Sequence, residues 1–268
     1  MEAWDLKPEE IKERLDKMVW SFSRVNSINS CLYAFYNHYI AENEDEDNAY
    51  AQFGKFCHEI LEKFLKGKID MFSVSDYYIK NYDNRLTYDF PPNKYVDLGE
   101  KMYLQGKEYF DNFTFNFKKY EVLGVEQELE FKVGKYPFHG YADVILKDKE
   151  TGEIILCDHK TTSFKYLKDG SVSKKDSQHF LEFHRQIYLY CIAVIEKYGR
   201  VDKLRWNMIR DHKIIEIPFN ENDFKESQEW AINSIQNLEK EVLWLPDTSN
   251  SYYCHVLCGQ RNNCLYHQ

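Results

Sequence analysis

The sequence predicts an α/β protein with a mixed sheet, on three observations. Apolar residues recur at helical spacing up to about residue 113, the period shortens to two between 121 and 160, and a helical stretch at 179 to 198 then precedes a second hairpin at about 203 to 218. The 268 residues suffice for one large domain or two small ones at roughly 150 residues each. No internal repeat and no Pro/Gly/Ser-rich linker interrupts them, so the chain reads as one continuous domain with embellishments.

Taken in order, residues 8 to 19 place Ile11, Leu15, Met18 and Val19 at helical spacing after Pro8, and Ser23 is positioned to cap a second helix through Val25, Ile28, Leu32 and Phe35. The acidic run ENEDED at 42 to 47 reads as a loop. A third helix is expected from about Ala49 to Lys66, with Phe53, Phe56, Ile60, Leu61, Phe64 and Leu65 as its apolar stripe and Gly67 as its stop, and another over 94 to 113. Val125, Leu129, Phe131 and Val133 then alternate with Glu126, Glu128, Glu130 and Lys132, and Phe138 to Leu146 and Glu153 to Lys160 flank the turn KDKETG, which makes a three-stranded meander. A polar loop at 163 to 178 leads into the helix at 179 to 198. The last helix, about 221 to 242, carries Phe224, Ile232, Ile235, Leu238 and Val242 before Pro246.

Composition excludes several classes. With 43% apolar and 16% aromatic residues the chain has too much surface to bury for a disordered protein. No window approaches the ~18 uninterrupted apolar residues of a membrane span, and the start, MEAWDLKPEE, is acidic where a secretory signal is basic and then apolar, so a cytoplasmic location is expected. The net charge of -9 argues against wrapping nucleic acid by bulk charge but leaves room for a local basic groove. Seven cysteines in a reducing compartment point to metal ligation or burial before disulfides.

The sharpest feature is the hairpin GYADVILKDKETGEIILCDHKTT. Symmetric pairing about the turn Lys149 to Gly152 sets Asp143 opposite Asp158, and with Cβ atoms about 5 Å apart like charges are destabilising unless a cation neutralises them. Alternation puts Asp158 and Lys160 on one face. Two acids and an amine suit a hard cation such as Mg²⁺, which takes oxygen ligands and works with phosphates, while the ammonium orients or deprotonates a water and offsets transition-state charge. The competing reading is a solvated surface hairpin, since short motifs match by accident. Asp211-His212-Lys213 repeats the tripeptide at the apex of the second hairpin and reads as an exposed turn, whereas Asp158-His159-Lys160 follows the apolar run Ile154 to Cys157 and has a partner acid. Upstream, His58 shares a helix face with Leu61 and Leu65, and downstream Gln186 and Tyr190 are spaced i, i+4 on the helix at 179 to 198. Read alone, a satisfied core histidine and a helix with two snorkelling polar residues are the more frequent explanations.

Gly54-x-x-x-His58, Gly140-x-x-Asp143, Asp158-x-Lys160-Thr161 and Gln186-x-x-x-Tyr190, in this order, resemble the four motifs of RecB-type exonucleases of the PD-(D/E)XK nuclease superfamily. Ser21-x-Ser23-Arg24, Cys31 and Phe35-Tyr36 resemble the N-terminal helix of its iron–sulfur members, the AddB nuclease domain and the CRISPR-associated exonucleases. The usual Pro-Asp is Ala142-Asp143 here. The resemblance implies a restriction-endonuclease-like core over about 49–218, with N-terminal helices 8–40 and the cysteine-bearing segment 221–268 packing together. It implies Mg²⁺ or Mn²⁺ held by His58, Asp143, Asp158 and the carbonyl of His159, Lys160 activating water, and Gln186 and Tyr190 supporting the site and contacting DNA. Glu126 or Glu128 is a further candidate ligand.

Cys254, Cys258 and Cys264 fall in the last 15 residues, with Cys31 as the fourth candidate, and Cys57, Cys157 and Cys191 read as small buried hydrophobes. In the similar nucleases such a set holds a [4Fe–4S] cluster. Zn²⁺, with His255 or His267 replacing a thiolate, or a metal-free tail are the alternatives. Lys165, Lys168, Lys174 and Lys175 follow the active lysine and are placed to meet phosphates or solvent. The expected activity is metal-dependent DNA exonuclease hydrolysis in repair, recombination or phage and mobile-element DNA processing, with a helicase or a recombination or annealing protein as partner. The competing function is a non-catalytic DNA-binding or recombination-scaffold subunit that keeps a cysteine-bound cluster.

Overall fold

The computed structural model describes residues 6–241 and 243–266, so Val242 and His267 lie outside the described residues. Among the described residues, eight α-helices and five strands follow one another as α1 (Pro8–Asp16), α2 (Phe22–Ser30), α3 (Leu32–Phe35), α4 (Ala49–Leu65), α5 (Val74–Arg85), α6 (Leu98–Asp111), β1 (Tyr120–Val133), β2 (Tyr136–Asp148), β3 (Ile154–Lys160), α7 (Ser177–Tyr198), β4 (Lys203–Met208), β5 (Lys213–Pro218) and α8 (Glu221–Leu238). The strands lie in the order β1-β2-β3-β4-β5. β2 and β3 pair antiparallel with Val144 opposite Cys157 and Lys147 opposite Ile154, the register expected from the turn. β3 and β4 are parallel and β4 and β5 antiparallel, so the sheet is mixed, and α7 makes the crossover that a parallel pair requires.

The chain divides into two compact units. One comprises the described chain up to Asn48, Glu130–Gly140, and the described chain from Lys225 onward. Its core stacks Trp20 on Phe35 and Phe35 on Trp244, and Trp20 bridges the backbone on either side of Phe138. Ser21 caps α2 by accepting from the Arg24 N–H, where Ser23 was expected to do so; Ser23 lies inside the first turn. α1 stops at Asp16, short of Met18 and Val19, because Trp20 has turned into its strand-like bridge with Phe138. Cys31 breaks the second expected helix, its backbone extended at φ -163, so that Leu32 and Phe35 belong to α3.

The other unit comprises Ala49–Leu129 and Tyr141–Phe224. Phe53, Phe56, Cys57, Ile60, Leu61 and Phe64 of α4 pack with Val74, Tyr78 and Tyr82 of α5 and Met102 and Phe110 of α6 in one apolar cluster. Gly67, left-handed at φ 68, follows α4 as expected. α6 begins at Leu98, with Asp97 as its cap, and residues 94–97 precede it as loop. Val144, Leu146, Ile155 and Cys157 form a second cluster on the sheet, joined by Leu65, Phe115, Tyr120 and Val122. Trp206 of β4 packs against Phe180 and His184 of α7, which covers the face that Asp158 shares with Trp206 across the β3–β4 ladder.

Candidate active site

His58, Glu126, Asp143, Asp158, His159, Lys160, Gln186 and Tyr190 all belong to the second unit. Asp143 and Asp158 enter from β2 and β3 at the end of their antiparallel ladder, one step beyond the pair Val144 and Cys157. Asp143 Oδ2 accepts from the backbone N–H of His159 at 2.6 Å, which ties the two strands together. Burial raises the Asp143 carboxyl, with His58 and Lys160 opposing the shift, and burial pushes Asp158 up to about 6 against the attraction of Lys160.

Lys160 is held from both sides. Its Nζ donates to Asp158 Oδ1 at 3.1 Å and lies 2.9 Å from Oδ2, donates to Gln186 Oε1 at 2.7 Å, and stands 4.7 Å above the Phe183 ring. Gln186 in turn donates from Nε2 to the Tyr190 hydroxyl at 3.3 Å, a contact made possible by their i, i+4 spacing on α7. Burial raises Tyr190 to about 12, so it serves as a neutral phenol. An ammonium has three N–H donors, and its two hydrogen bonds, to Asp158 Oδ1 and Gln186 Oε1, leave one for a substrate or water.

His58 closes the site from α4. Its Nδ1 lies 3.6 Å from Asp143 Oδ2 and 3.7 Å from Glu126 Oε1, and its Nε2 is 3.0 Å from the His159 carbonyl oxygen. Burial alone would lower His58, but Asp143 and Glu126 outweigh it and bring the imidazole to about 9. Among the described residues, His58, Glu126 and Asp143 are the group of three whose ligand atoms all fall within 4.8 Å of one another. That spacing suits a divalent cation, whose N and O ligands at about 2.0–2.2 Å stand some 3 to 4 Å apart. The donor set, one imidazole and two carboxylates with a third held by Lys160, has the hard character such an ion takes. Asp158 lies outside this group of three. The His159 carbonyl is engaged by His58.

Glu126 enters and Glu128 does not, which period-two alternation had left undecided. Glu126 is left-handed at φ 47 within β1, while Glu128 is exposed and accepts from the Tyr141 hydroxyl at 3.4 Å. A left-handed residue inside a strand is the mark of a bulge, which re-aims a side chain. Gly124, two residues earlier, is the signal in the sequence, since an isolated glycine in a strand marks such a place; the Gln127 side chain folds over it, where a Cβ would stand 2.5 Å from Oε1. Gly54 has an equally local role, because a Cβ there would meet Thr161 Oγ1 at 3.2 Å. The helix that delivers His58 thus passes close against the residue after Lys160.

Behind His159 lies a contact the sequence did not suggest. Asn207, its neighbour on β4, donates from Nδ2 to the Tyr109 hydroxyl at 2.7 Å and lies 3.0 Å from His159 Nδ1. Burial, His58 and Lys160 lower His159, so it is neutral and its Nδ1 accepts.

In the first unit, Cys31, Cys254, Cys258 and Cys264 line one small cavity. Burial pushes Cys258 up to about 11, and Cys31, Cys264 and Cys254 add to it. Cys57, Cys157 and Cys191 are buried as expected.

The model of the PD-(D/E)XK nuclease superfamily matches residues 19–267 of this chain. No curated protein matches it. Among solved structures, the crystal structure described as "Putative exonuclease" from Eubacterium rectale aligns over 97% of this chain and 93% of its own at a TM-score of 0.50 and 15% identity, a likeness of fold.

Proposed function

Because the chain belongs to the PD-(D/E)XK nuclease superfamily and carries its restriction-endonuclease-like core, we propose that it is a Mg²⁺- or Mn²⁺-dependent DNA exonuclease. The observation that carries the metal site is the convergence of His58, Glu126 and Asp143 ligand atoms beside a lysine fixed between Asp158 and Gln186. These residues and Asp158 would hold the ion, which supplies Lewis acidity to a phosphoryl oxygen and to a water. Lys160, with an N–H to spare, aligns the attacking water or steadies the charge that builds on the phosphoryl oxygens. Gln186 fixes that ammonium, and Tyr190 fixes Gln186. A water oxygen bonds to phosphorus in line with the departing ester oxygen, the P–O ester bond breaks, the water loses a proton to solvent, and the leaving oxygen gains one.

The exonuclease mode rests on the order of the four motifs, which resembles RecB-type enzymes, and the name of the Eubacterium rectale protein agrees with it. The same resemblance supports work in repair, recombination or mobile-element DNA processing beside a helicase or annealing partner. Lys160→Ala tests the lysine; it should remove Mg²⁺-dependent degradation of linear DNA while leaving the fold, read by circular dichroism, unchanged.

The same reading assigns Cys31, Cys254, Cys258 and Cys264 to a [4Fe–4S] cluster. Among the described residues no three of these sulfurs fall within 4.8 Å of one another, whereas zinc at about 2.3 Å from each sulfur needs them about 3.8 Å apart. Iron and acid-labile sulfide in equal amounts in protein purified without oxygen would support the cluster, and zinc without iron would refute it.

A further inference from the structure

Asp211-His212-Lys213, the second copy of the Asp-x-Lys tripeptide, is not a free turn. Asp211 accepts from the Ser163 hydroxyl, from the Phe164 N–H at 3.0 Å and from the Tyr166 hydroxyl at 2.7 Å. Lys213 donates to the Gly170 carbonyl at 2.8 Å and sits 3.7 Å over the Tyr166 ring. Both residues therefore grip the segment that follows Lys160. That segment is itself ordered as a miniature hairpin, with Ser173 N–H donating to Lys165 O at 2.7 Å, Leu167 N–H to Ser171 O at 2.8 Å, and Gly170 left-handed at φ 86 in its turn. Its root is fixed to the site: Phe164 is buried against Phe183, the ring beneath Lys160 Nζ.

The charges on this hairpin are sorted by direction. Asp176 is turned inward onto Lys165 N–H and Ser173 Oγ, and Asp169 caps Ser171. Lys165, Lys168, Lys174 and Lys175 are exposed, and among the described residues none has a carboxylate within 4.0 Å. In a chain of net charge -9, four exposed lysines against Asp169 and Asp176, the latter attracted to Lys165 and Lys175, leave one short pinned segment with a local cationic surface. We propose that the 163–176 segment is a phosphate-binding arm, clamped by Asp211 and Lys213, whose Lys165, Lys168, Lys174 and Lys175 hold the backbone phosphates of the DNA strand next to the bond being cut. It rests on the nuclease reading for the identity of its ligand. Lysines bind phosphates as point charges and carry no sequence preference, as suits an enzyme that degrades any sequence.

The test is the salt dependence of binding, which needs no cleavage. A fluorescent oligonucleotide duplex is titrated with the full chain in EDTA at several KCl concentrations, using wild type, a Lys168→Gln/Lys174→Gln/Lys175→Gln variant and Asp211→Asn. Each lost duplex phosphate contact lowers the slope of log Kd against log salt by about 0.9, so the triple variant should lose about 2.7 from the slope and bind more weakly. Asp211→Asn should lower the slope in the same direction and speed tryptic cutting at Lys165 and Lys168, with Asp211→Glu restoring part of both. A clamp of purely structural effect would change tryptic cutting and leave the slope alone. An unchanged slope and affinity in the triple variant would overturn the arm. Absence of cleavage by the metal-loaded wild type beside a salt slope that the triple variant lowers would instead overturn the nuclease reading and keep the arm.

Discussion

At Glu126 one left-handed residue decides which of two carboxylates enters the site. Alternation puts Glu126 and Glu128 on the same face, and the turn in φ separates them, so the two should behave oppositely on substitution. Glu126→Gln should weaken Mn²⁺ binding by about 10–100-fold, in the range seen when groups that tune a metal site are removed, and Glu128→Gln should leave it near wild type; isothermal titration of Mn²⁺ separates them. That Asp143 and Asp158 lie on neighbouring strands, Lys160 beside Asp158 and Gln186 beside Tyr190 was legible because groups on regular elements keep their spacing in sequence. Asp143 and Asp158 followed from a hairpin sum, and Gln186 and Tyr190 from a helical repeat. Glu126 was legible only as a pair of candidates, because a bulge breaks the period on which the reading depends. Asp211 was misread for the opposite reason: a turn position looks solvated in sequence, and only the chain coming back to it shows that its carboxylate accepts three donors.

At the level of elements, α4, the meander and α7 were plain in the sequence, since each carries a strong period. α5 was not read, because an exposed Ile79 stands with Lys80 and Asn81 between Tyr78 and Tyr82 and the segment has little amphipathic contrast of its own; tertiary contact with α4 and α6 holds it. Gly106 shows how close that contact is. A Cβ there would stand 2.3 Å from the Tyr78 hydroxyl, which is buried and donates to the Tyr103 carbonyl. Gly106→Ala should therefore destabilise by about 1–3 kcal/mol in urea unfolding, despite alanine's better helix propensity. The β2–β3 turn has a different weakness. Asp148 accepts from the N–H groups of Glu150 and Thr151 and lies near Lys119, contacts that lower its carboxyl below 3.8. Its folded value being the lower one, the stabilisation is present above about 3.8 and is lost as pH falls through the folded value. The stability gap between wild type and Asp148→Asn should hold at neutral pH and close below that value, as followed by urea midpoints across pH.

For the whole molecule, the described chain up to Asn48 and from Lys225 onward share one unit, and the candidate site residues share the other. The acidic run at 42 to 47, read as loop, has no regular element, yet it is bound within its unit: Gln260 donates to the carbonyls of Asn43 and Glu44 and to Asp45, and Arg261 donates to the carbonyls of Glu46 and Asp47. Cys258 lies two residues before Gln260, so a metal held by Cys258 in the proposed cluster would be mechanically joined to this acidic run. Cys258→Ser should lose iron and lower the melting temperature, and the same shift should follow treatment of wild type with a chelator and oxidant, both read by calorimetry. Among the described residues no helix is long and apolar enough to cross a membrane. The central claim, a metal-dependent exonuclease worked by Lys160, is tested most directly by incubating end-labelled linear DNA and closed circular DNA with metal-loaded protein in Mg²⁺ or Mn²⁺. Loss of linear DNA alone, abolished in Lys160→Ala, is the expected result. Intact, metal-loaded protein that binds both DNAs and cuts neither would contradict it and leave a DNA-binding scaffold in its place.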